Sequence, residues 1–270
     1  MSVHNDMKKK TAVSVRNMKG VEKISVLTAY DFTMASIMDA AGIDVLLVGD
    51  SAANVVAGYN STLPITLDHL IYHGQSVMRG VKQALVVIDL PFGTYQACSD
   101  NAVDNAVKML KAEAGEAVKL EGGEHIAETI RRIVDAGIPV MGHLGLTPQS
   151  VNNFGGYKIQ AKSESEAKKL IDDAKILEQA GCFSIVLEKV PAEVAKTVTQ
   201  SISIPTIGIG AGVNTDGQVL VSYDMLGLTQ GFNPKFLRRF ANLGEQIKSA
   251  SQEYIKAVKT EDFPNITESY

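Results

Sequence analysis

The amino-acid sequence predicts one (β/α)8 TIM barrel. Eight short apolar runs alternate with amphipathic stretches, the rhythm of repeated βα units. The runs are continuous rather than alternating, as strands buried on both faces must be. The length of 270 residues suits the roughly 250 that such a barrel occupies.

The runs are Ile24 to Leu27, Val45 to Val48, Leu85 to Ile88, Ala117 to Leu120, Ile138 to Met141, Phe183 to Leu187, Ile204 to Ile207 and Gln218 to Val221. Between them, Met34, Ile37, Met38 and Ala41 fall on one helical face, as do Val103, Ala106, Val107 and Leu110. Asp31 and Ser99 are the expected N-caps, short polar side chains able to accept a bond from an orphan helix N–H. Ala41-Gly42, Ala114-Gly115, Ala136-Gly137 and Ala180-Gly181 precede four of the strands, and each glycine is expected to take the left-handed conformation that ends a helix. Right-handed crossovers also permit an open doubly wound sheet, but the glycine fingerprint of a dinucleotide-binding sheet is missing and eight units favour closure. No linker or low-complexity tract divides the chain, so residues 1–270 are expected as one barrel domain, with 1–20 and 245–270 at its periphery.

A formal charge of -4 and the lack of a long basic cluster argue against a nucleic-acid partner, which demands Lys and Arg to replace condensed counterions. The Lys8 to Lys10 run is not followed by an apolar signal segment, and no apolar stretch reaches the roughly 18 residues of a membrane span, so a cytoplasmic enzyme of small molecules is expected. Cys98 and Cys182 lack metal-type spacing and suggest no disulfide framework, and are expected as reduced thiols without a chemical role.

In a parallel barrel the C-terminal strand ends share one mouth, so polar residues just past the apolar runs meet in space. Strand two ends in Gly49-Asp50-Ser51 and strand three in Asp89-Leu90-Pro91, strand four carries Lys119 and Glu121, strand five runs into His143, and strand six ends at Glu188. Any one such Asp or Ser can simply cap the next helix. Four carboxylates in one mouth require more, because a cation, a shared proton or positive side chains must offset their repulsion. A divalent metal is the economical solution. Oxygen ligands without a His/Cys cluster suit Mg²⁺, one per subunit, with water and a bidentate substrate completing its shell, and Mn²⁺ or Co²⁺ could stand in. Asp50 and Asp89, on adjacent strands at equivalent heights, are the expected metal pair, with Glu121 beside them or acting through water. Glu188 lies across the barrel behind the apolar Ile185-Val186-Leu187 and is the expected general base.

Other features carry less. His69 and His73 stand at i, i+4 but lack a third ligand nearby, so a structural or surface role is expected. His143 has two open readings, a substrate or supporting role at the mouth and a buried structural one. Gly208-Ile209-Gly210-Ala211-Gly212 has no basic residue close behind it and is expected as a tight turn rather than a phosphate cradle. Thr147 to Lys162, with Asn152-Asn153-Phe154-Gly155-Gly156-Tyr157, is expected as a lid.

Val48-Gly49-Asp50-Ser51, Ser61-Thr62-Leu63-Pro64, Asp89-Leu90-Pro91-Phe92, Lys119-Leu120-Glu121-Gly122-Gly123 and His143-Leu144-Gly145-Leu146-Thr147-Pro148-Gln149-Ser150 occur in this order. With Phe154-Gly155-Gly156-Tyr157-Lys158, the Gly208 to Gly212 loop and Pro234-Lys235-Phe236, they resemble the ketopantoate hydroxymethyltransferase family over nearly all of residues 20–245. The resemblance implies transfer of a hydroxymethyl group from 5,10-methylenetetrahydrofolate to 3-methyl-2-oxobutanoate, giving 2-dehydropantoate in the first committed step of pantothenate synthesis. It implies metal ligands at Asp50 and Asp89 with Glu121 close by, keto-acid contacts from Ser51 and Lys119, and the base at Glu188. With the mouth geometry, the substrate set becomes Asp50, Ser51, Asp89, Lys119 and His143. A homodecamer of two stacked pentamer rings is implied by resemblance alone.

Ala52 to Val56 and Gly93 to Gln96 depart from the family pattern and are expected to bear on the folate pocket. The rival reading is a Mg²⁺-dependent carbon-carbon lyase or mutase of the isocitrate lyase and phosphoenolpyruvate mutase type, but the Lys-Lys-Cys-Gly-His loop of such lyases is missing. A non-catalytic barrel would leave a base, a metal pair and a lysine together without explanation.

Overall fold

Eight parallel strands follow one another in sequence order around a closed barrel, the last pairing with the first. This computed structural model describes residues 8–270, in two units, one ending at Leu220 and one running Val221–Tyr270. In the first unit, α1 (Ala12–Arg16) precedes β1 (Ile24–Thr28), and α2 (Phe32–Ala40) leads to β2 (Val45–Val48). Next come α3 (Ala52–Val55), α4 (Leu67–Gly80), β3 (Leu85–Asp89), α5 (Ser99–Lys111) and β4 (Ala117–Glu121). A 3-10 turn at Glu124–Ile126 and α6 (Ala127–Asp135) lead to β5 (Val140–Gly145). A second 3-10 turn (Pro148–Ser150), α7 (Val151–Phe154) and α8 (Glu164–Gln179) precede β6 (Ser184–Glu188). The unit closes with α9 (Ala192–Ser201), β7 (Thr206–Ile209) and β8 (Gly217–Leu220). The predicted barrel is therefore the observed one.

The second unit contains α10 (Ser222–Met225) and α11 (Leu243–Lys259). Ile247, Tyr254, Ile255 and Val258 leave an exposed apolar stripe on α11. Among the described residues no helix is long and apolar enough to cross a membrane.

The barrel interior is built from every second residue of each strand. Ile24 and Val26 of β1, Val45 and Leu47 of β2, Leu85 and Val87 of β3, Ala117 of β4, Met141 of β5, Val186 of β6 and Ile207 of β7 form one apolar cluster. Ala12, Val15 and Met18 join it beside the strand starts, so the N-terminal helix closes the barrel's lower end. Side chains two positions further along a strand point the same way. That rule carries the inward rows from Val87 to Asp89, from Ala117 to Lys119 and Glu121, from Met141 to His143, and from Val186 to Glu188. The apolar core and the polar mouth are successive layers of the same rows.

Local differences from expectation have identifiable causes. β5 and β7 start at Val140 and Thr206 rather than Ile138 and Ile204, because Pro139 and Pro205 have no N–H to give to a ladder. Asp31 caps α2, accepting from the Met34 N–H at 2.9 Å. Ser99 does not cap α5: Cys98 holds that position without a side-chain bond, and the Ser99 hydroxyl accepts from Arg132 instead. The buried face of α2 is Ala35, Met38 and Asp39, with Ile37 exposed, and that of α5 is Ala102, Ala106 and Met109. Asp39 is buried because its carboxylate accepts from the N–H groups of Lys82, Gln83 and Ala84 at 2.9, 3.0 and 2.8 Å. Gly42, Gly137 and Gly181 take the expected left-handed conformation; at the end of α5 Glu113 takes it instead of Gly115.

Candidate active site

Register places the polar layer. Asp89 pairs with Lys119, Glu121 with His143, and Gly145 with Glu188 on neighbouring strands. Asp50 follows the end of β2, and its backbone N–H donates to Asp89 Oδ2 at 2.9 Å. Asp50, Asp89, Lys119, Glu121 and His143 are all buried, and Glu188 is nearly so.

The four expected carboxylates do share a mouth, and two cationic groups lie among them. Lys119 Nζ is 3.0 Å from Asp89 Oδ1 and 3.9 Å from Glu121 Oε1. His143 Nδ1 lies 3.4 Å from Glu121 Oε1 and 3.2 Å from Lys119 Nζ, while its Nε2 lies 3.4 Å from Glu188 Oε2. Asp89 Oδ1 and Glu121 Oε1, for all this proximity, accept no well-angled hydrogen bond, so these contacts count as charge attraction. One oxygen on three of the four acids is pinned: Asp89 Oδ2 by the Asp50 N–H, Glu121 Oε2 by the Gln149 N–H at 2.9 Å, and Asp50 Oδ2 by the Gln149 side-chain amide at 3.0 Å.

Protonation follows from this layout. Burial works against Lys119 carrying charge, but Asp89, Glu121 and Asp50 outweigh it and lift its pKa above the usual lysine range. Burial and the Lys119 charge push His143 down; contacts with Glu121 and Glu188 overcome them and raise it to about 9. Burial alone would raise Glu121, yet His143, Lys119 and the Gln149 N–H together hold it below its usual value. Burial, with the charges of Asp89 and Glu121, raises Asp50 well above the carboxylate range, and burial also raises Asp89 against the opposing pull of Lys119. Four carboxylates stand against two cations, and this crowding, with burial, favours the protonated form of Asp50.

This tests the fit of a divalent cation. Among the described residues no group of three or more His, Cys, Asp or Glu forms a ready cation cage. The residues do fit an ion that takes one or two carboxylates and fills its shell with water and substrate, as Mg²⁺ does. Crowded carboxylates, with Asp50 raised well above its usual value, and two buried acceptor oxygens without hydrogen bonds are what such an ion would relieve.

Ser51 begins α3 yet makes no capping bond; its Oγ lies 2.9 Å from the Tyr30 hydroxyl. A Cβ on Gly49 would come 2.6 Å from that Oγ, so only glycine leaves Ser51 where it is. Gly145, at φ 87°, approaches even closer: a Cβ there would meet the Glu188 carbonyl oxygen at 2.3 Å.

Of the other candidates, His69 closes the capping box of α4 and His73 bonds the Tyr30 carbonyl oxygen at 2.7 Å, both structural roles. In the Gly208 to Gly212 loop, the Gly212 carbonyl accepts from Gln218 at 2.9 Å and Ile209's from the Lys189 N–H at 2.9 Å. Cys98 and Cys182 are free thiols, and burial pushes Cys182 up to about 12. The stretch from Thr147 to Lys162 divides: Thr147, Gln149 and Val151 are buried, whereas most of residues 152–160 is exposed. Within it, burial and the charges of Asp50, Glu188 and Glu121 raise the Tyr157 hydroxyl.

Sequence reasoning missed Gln149 and Tyr95. Tyr95 belongs to the stretch expected at the folate pocket, but its hydroxyl donates to Gln149 Oε1 at 2.7 Å and accepts from the Glu121 N–H at 3.1 Å. Neither residue ends a strand, so the strand-end rule could not find them.

The chain is 61% identical over 249 residues to a 3-methyl-2-oxobutanoate hydroxymethyltransferase from Parabacteroides distasonis, covering 92% of this chain and 91% of that protein. It is 58% identical to the protein of that name from Flavobacterium johnsoniae, covering 98% of each. The phosphoenolpyruvate phosphomutase of Streptomyces platensis subsp. rosaceus superposes with a TM-score of 0.62 at 13% identity, covering 93% of this chain and 88% of that one, and shares the fold. The family model for ketopantoate hydroxymethyltransferase matches residues 9–266, and the chain belongs to that family.

Proposed function

We propose that this enzyme transfers a hydroxymethyl group from 5,10-methylenetetrahydrofolate to 3-methyl-2-oxobutanoate, giving 2-dehydropantoate, the first committed step of pantothenate synthesis. The observation that carries the reading is the conjunction of family membership with an intact mouth of Asp50, Asp89, Lys119, Glu121, His143 and Glu188. The lyase or mutase reading has only a shared barrel fold behind it.

Asp50 and Asp89 would hold one Mg²⁺, with Glu121 beside it or acting through water. A bound Mg²⁺ supplies Lewis-acid polarisation of the keto oxygen. Lys119 and Ser51 bind the keto acid, the ammonium facing its negative oxygens and the hydroxyl held in place by Tyr30. Glu188 accepts the C3 proton; the contact of His143 with its Oε2 leaves Oε1 as the oxygen available to the substrate. The carbon left nucleophilic at C3 forms the new bond to the one-carbon unit, whose two bonds to folate nitrogens break. Water supplies the hydroxyl oxygen, and the C3 proton and one proton of the water go to those nitrogens as tetrahydrofolate leaves. Residues 152–160 serve as the lid that keeps bulk water from these species.

The setting is the cytoplasm, and neither nucleic acid nor membrane is a partner. The chain assembles as a homo-oligomer, a decamer by family resemblance, and the exposed apolar stripe on α11 supports association.

The test is product formation from 3-methyl-2-oxobutanoate, 5,10-methylenetetrahydrofolate and Mg²⁺. Wild type is expected to form 2-dehydropantoate, and Asp89→Asn to lose at least 100-fold in kcat/KM, about 2.7 kcal/mol. No product from the folded wild type would overturn the reading.

A further inference from the structure

Gln149, which is none of the expected site residues, hydrogen-bonds two acids of the polar layer. Its backbone N–H donates to Glu121 Oε2 at 2.9 Å. Its side-chain Nε2 donates to Asp50 Oδ2 and to the Leu90 carbonyl, both at 3.0 Å. Its Oε1 accepts from the Tyr95 hydroxyl at 2.7 Å and from Gln96 Nε2 at 3.0 Å. These partners fix the sense of the amide. Turned over, it would aim an oxygen at a carboxylate and a carbonyl, and an NH2 group at the Gln96 NH2. All the side-chain donors and acceptors are used, and the residue is 5% exposed. Tyr95 is itself buried and tied to the Glu121 backbone through the 3.1 Å bond from its N–H.

One residue thus pins one oxygen on each of two acids, Asp50 through its side chain and Glu121 through its backbone. The Asp89 oxygen is pinned separately by the Asp50 N–H, so the three acids form one aligned set. In that set Asp89 Oδ1 and Glu121 Oε1 are left without hydrogen bonds. Hydrogen bonds that hold acids in this way lower the reorganisation that cation binding would otherwise require.

We propose that Gln149, locked by Tyr95, is the positioning residue that holds Asp50 and Glu121 in the arrangement that receives the divalent cation. The inference rests on the metal reading of the proposed function. The Gln149 amide is fully engaged by protein groups, so it acts through the acids it holds. A merely structural glutamine would stabilise the two loops without changing cation affinity, and this separates the alternatives. Asn105 offers the comparison, since its Nδ2 donates to the Thr94 carbonyl at 2.7 Å and steadies the same loop as Tyr95 without reaching an acid.

The experiment is titration of the full-length, chelator-stripped protein with Mn²⁺, reading free Mn²⁺ by electron paramagnetic resonance, with folding checked by circular dichroism. Gln149→Leu is expected to raise the Mn²⁺ Kd at least tenfold, and Tyr95→Phe, which loses only the hydroxyl, at least threefold. Asn105→Ala is expected to stay within twofold of wild type. A folded Gln149→Leu within twofold of wild type would overturn the proposal, as would an Asn105→Ala loss equal to that of Tyr95→Phe. If Gln149→Leu does not fold, Tyr95→Phe decides alone, and an affinity within twofold overturns the proposal. A wild type that takes up no Mn²⁺ would instead overturn the metal reading on which it stands.

Discussion

His143 Nε2 lies 3.4 Å from Glu188 Oε2, and the opposite nitrogen of the same ring lies 3.4 Å from Glu121 Oε1. A single imidazole therefore stands between the expected base and an acid of the expected metal group. His143 is buried, and it lies among the acids of the mouth.

This position sets a pH dependence. His143 is raised from 6.5 to about 9 in the folded protein. A group whose folded pKa exceeds its unfolded value contributes stability that is fully present below the unfolded value and is lost as pH rises through the folded one. In chelator-treated protein, the unfolding free energy is expected to fall as pH rises from 6.5 to 9, and His143→Gln to show a shallower fall. Asp50, also raised, adds a loss of the same sign that begins at 3.8. Urea denaturation at several pH values checks the slope, and a rise in wild-type stability over that window would contradict the assignment.

Gly145 is where the barrel wall meets Glu188, the proposed base. A Cβ there would lie 2.3 Å from the Glu188 carbonyl oxygen, at a φ of 87° that L side chains avoid. Gly145→Ala is expected to shift Glu188 and to lower kcat by roughly 10- to 100-fold, since misplacement of about 1 Å can have that effect. Steady-state kinetics on folded protein check it, and an unchanged kcat would contradict a catalytic need for Glu188 at its present position.

Asp39 tests the scaffold separately from the mouth. Its carboxylate satisfies three backbone N–H groups between α4 and β3, and these bonds outweigh burial to hold its pKa below 3.8. Asp39→Ala leaves those donors without their partner and is expected to destabilise by about 3 kcal/mol, with little change in kcat of the folded fraction. Equilibrium unfolding beside kinetics separates the two effects.

The barrel and most of its mouth were legible because both obey simple periodicities. Continuous apolar runs mark β1 to β8, and the first polar residues beyond them, Asp89, Glu121 and Glu188, continue inward rows. Legibility failed where a polar residue does structural work inside the protein. Asp39 is charged and yet faces inward, so the α2 face read from apolar residues is rotated. His143 is polar, so β5 appeared to end at Met141, although it runs to Gly145. Gln149 and Tyr95 lie on connections, where no period predicts which way a side chain turns, and only the folded chain brings Gln149 to Asp50 and Tyr95 to Gln149.

The most direct measurement of the central assignment is exchange of the C3 hydrogen of 3-methyl-2-oxobutanoate with D2O, followed by proton NMR with Mg²⁺ present and folate absent. Wild type is expected to exchange that hydrogen, and Glu188→Gln to lose exchange by at least 100-fold while binding the keto acid within a few-fold of wild type. Exchange at the wild-type rate in folded Glu188→Gln would contradict Glu188 as the base.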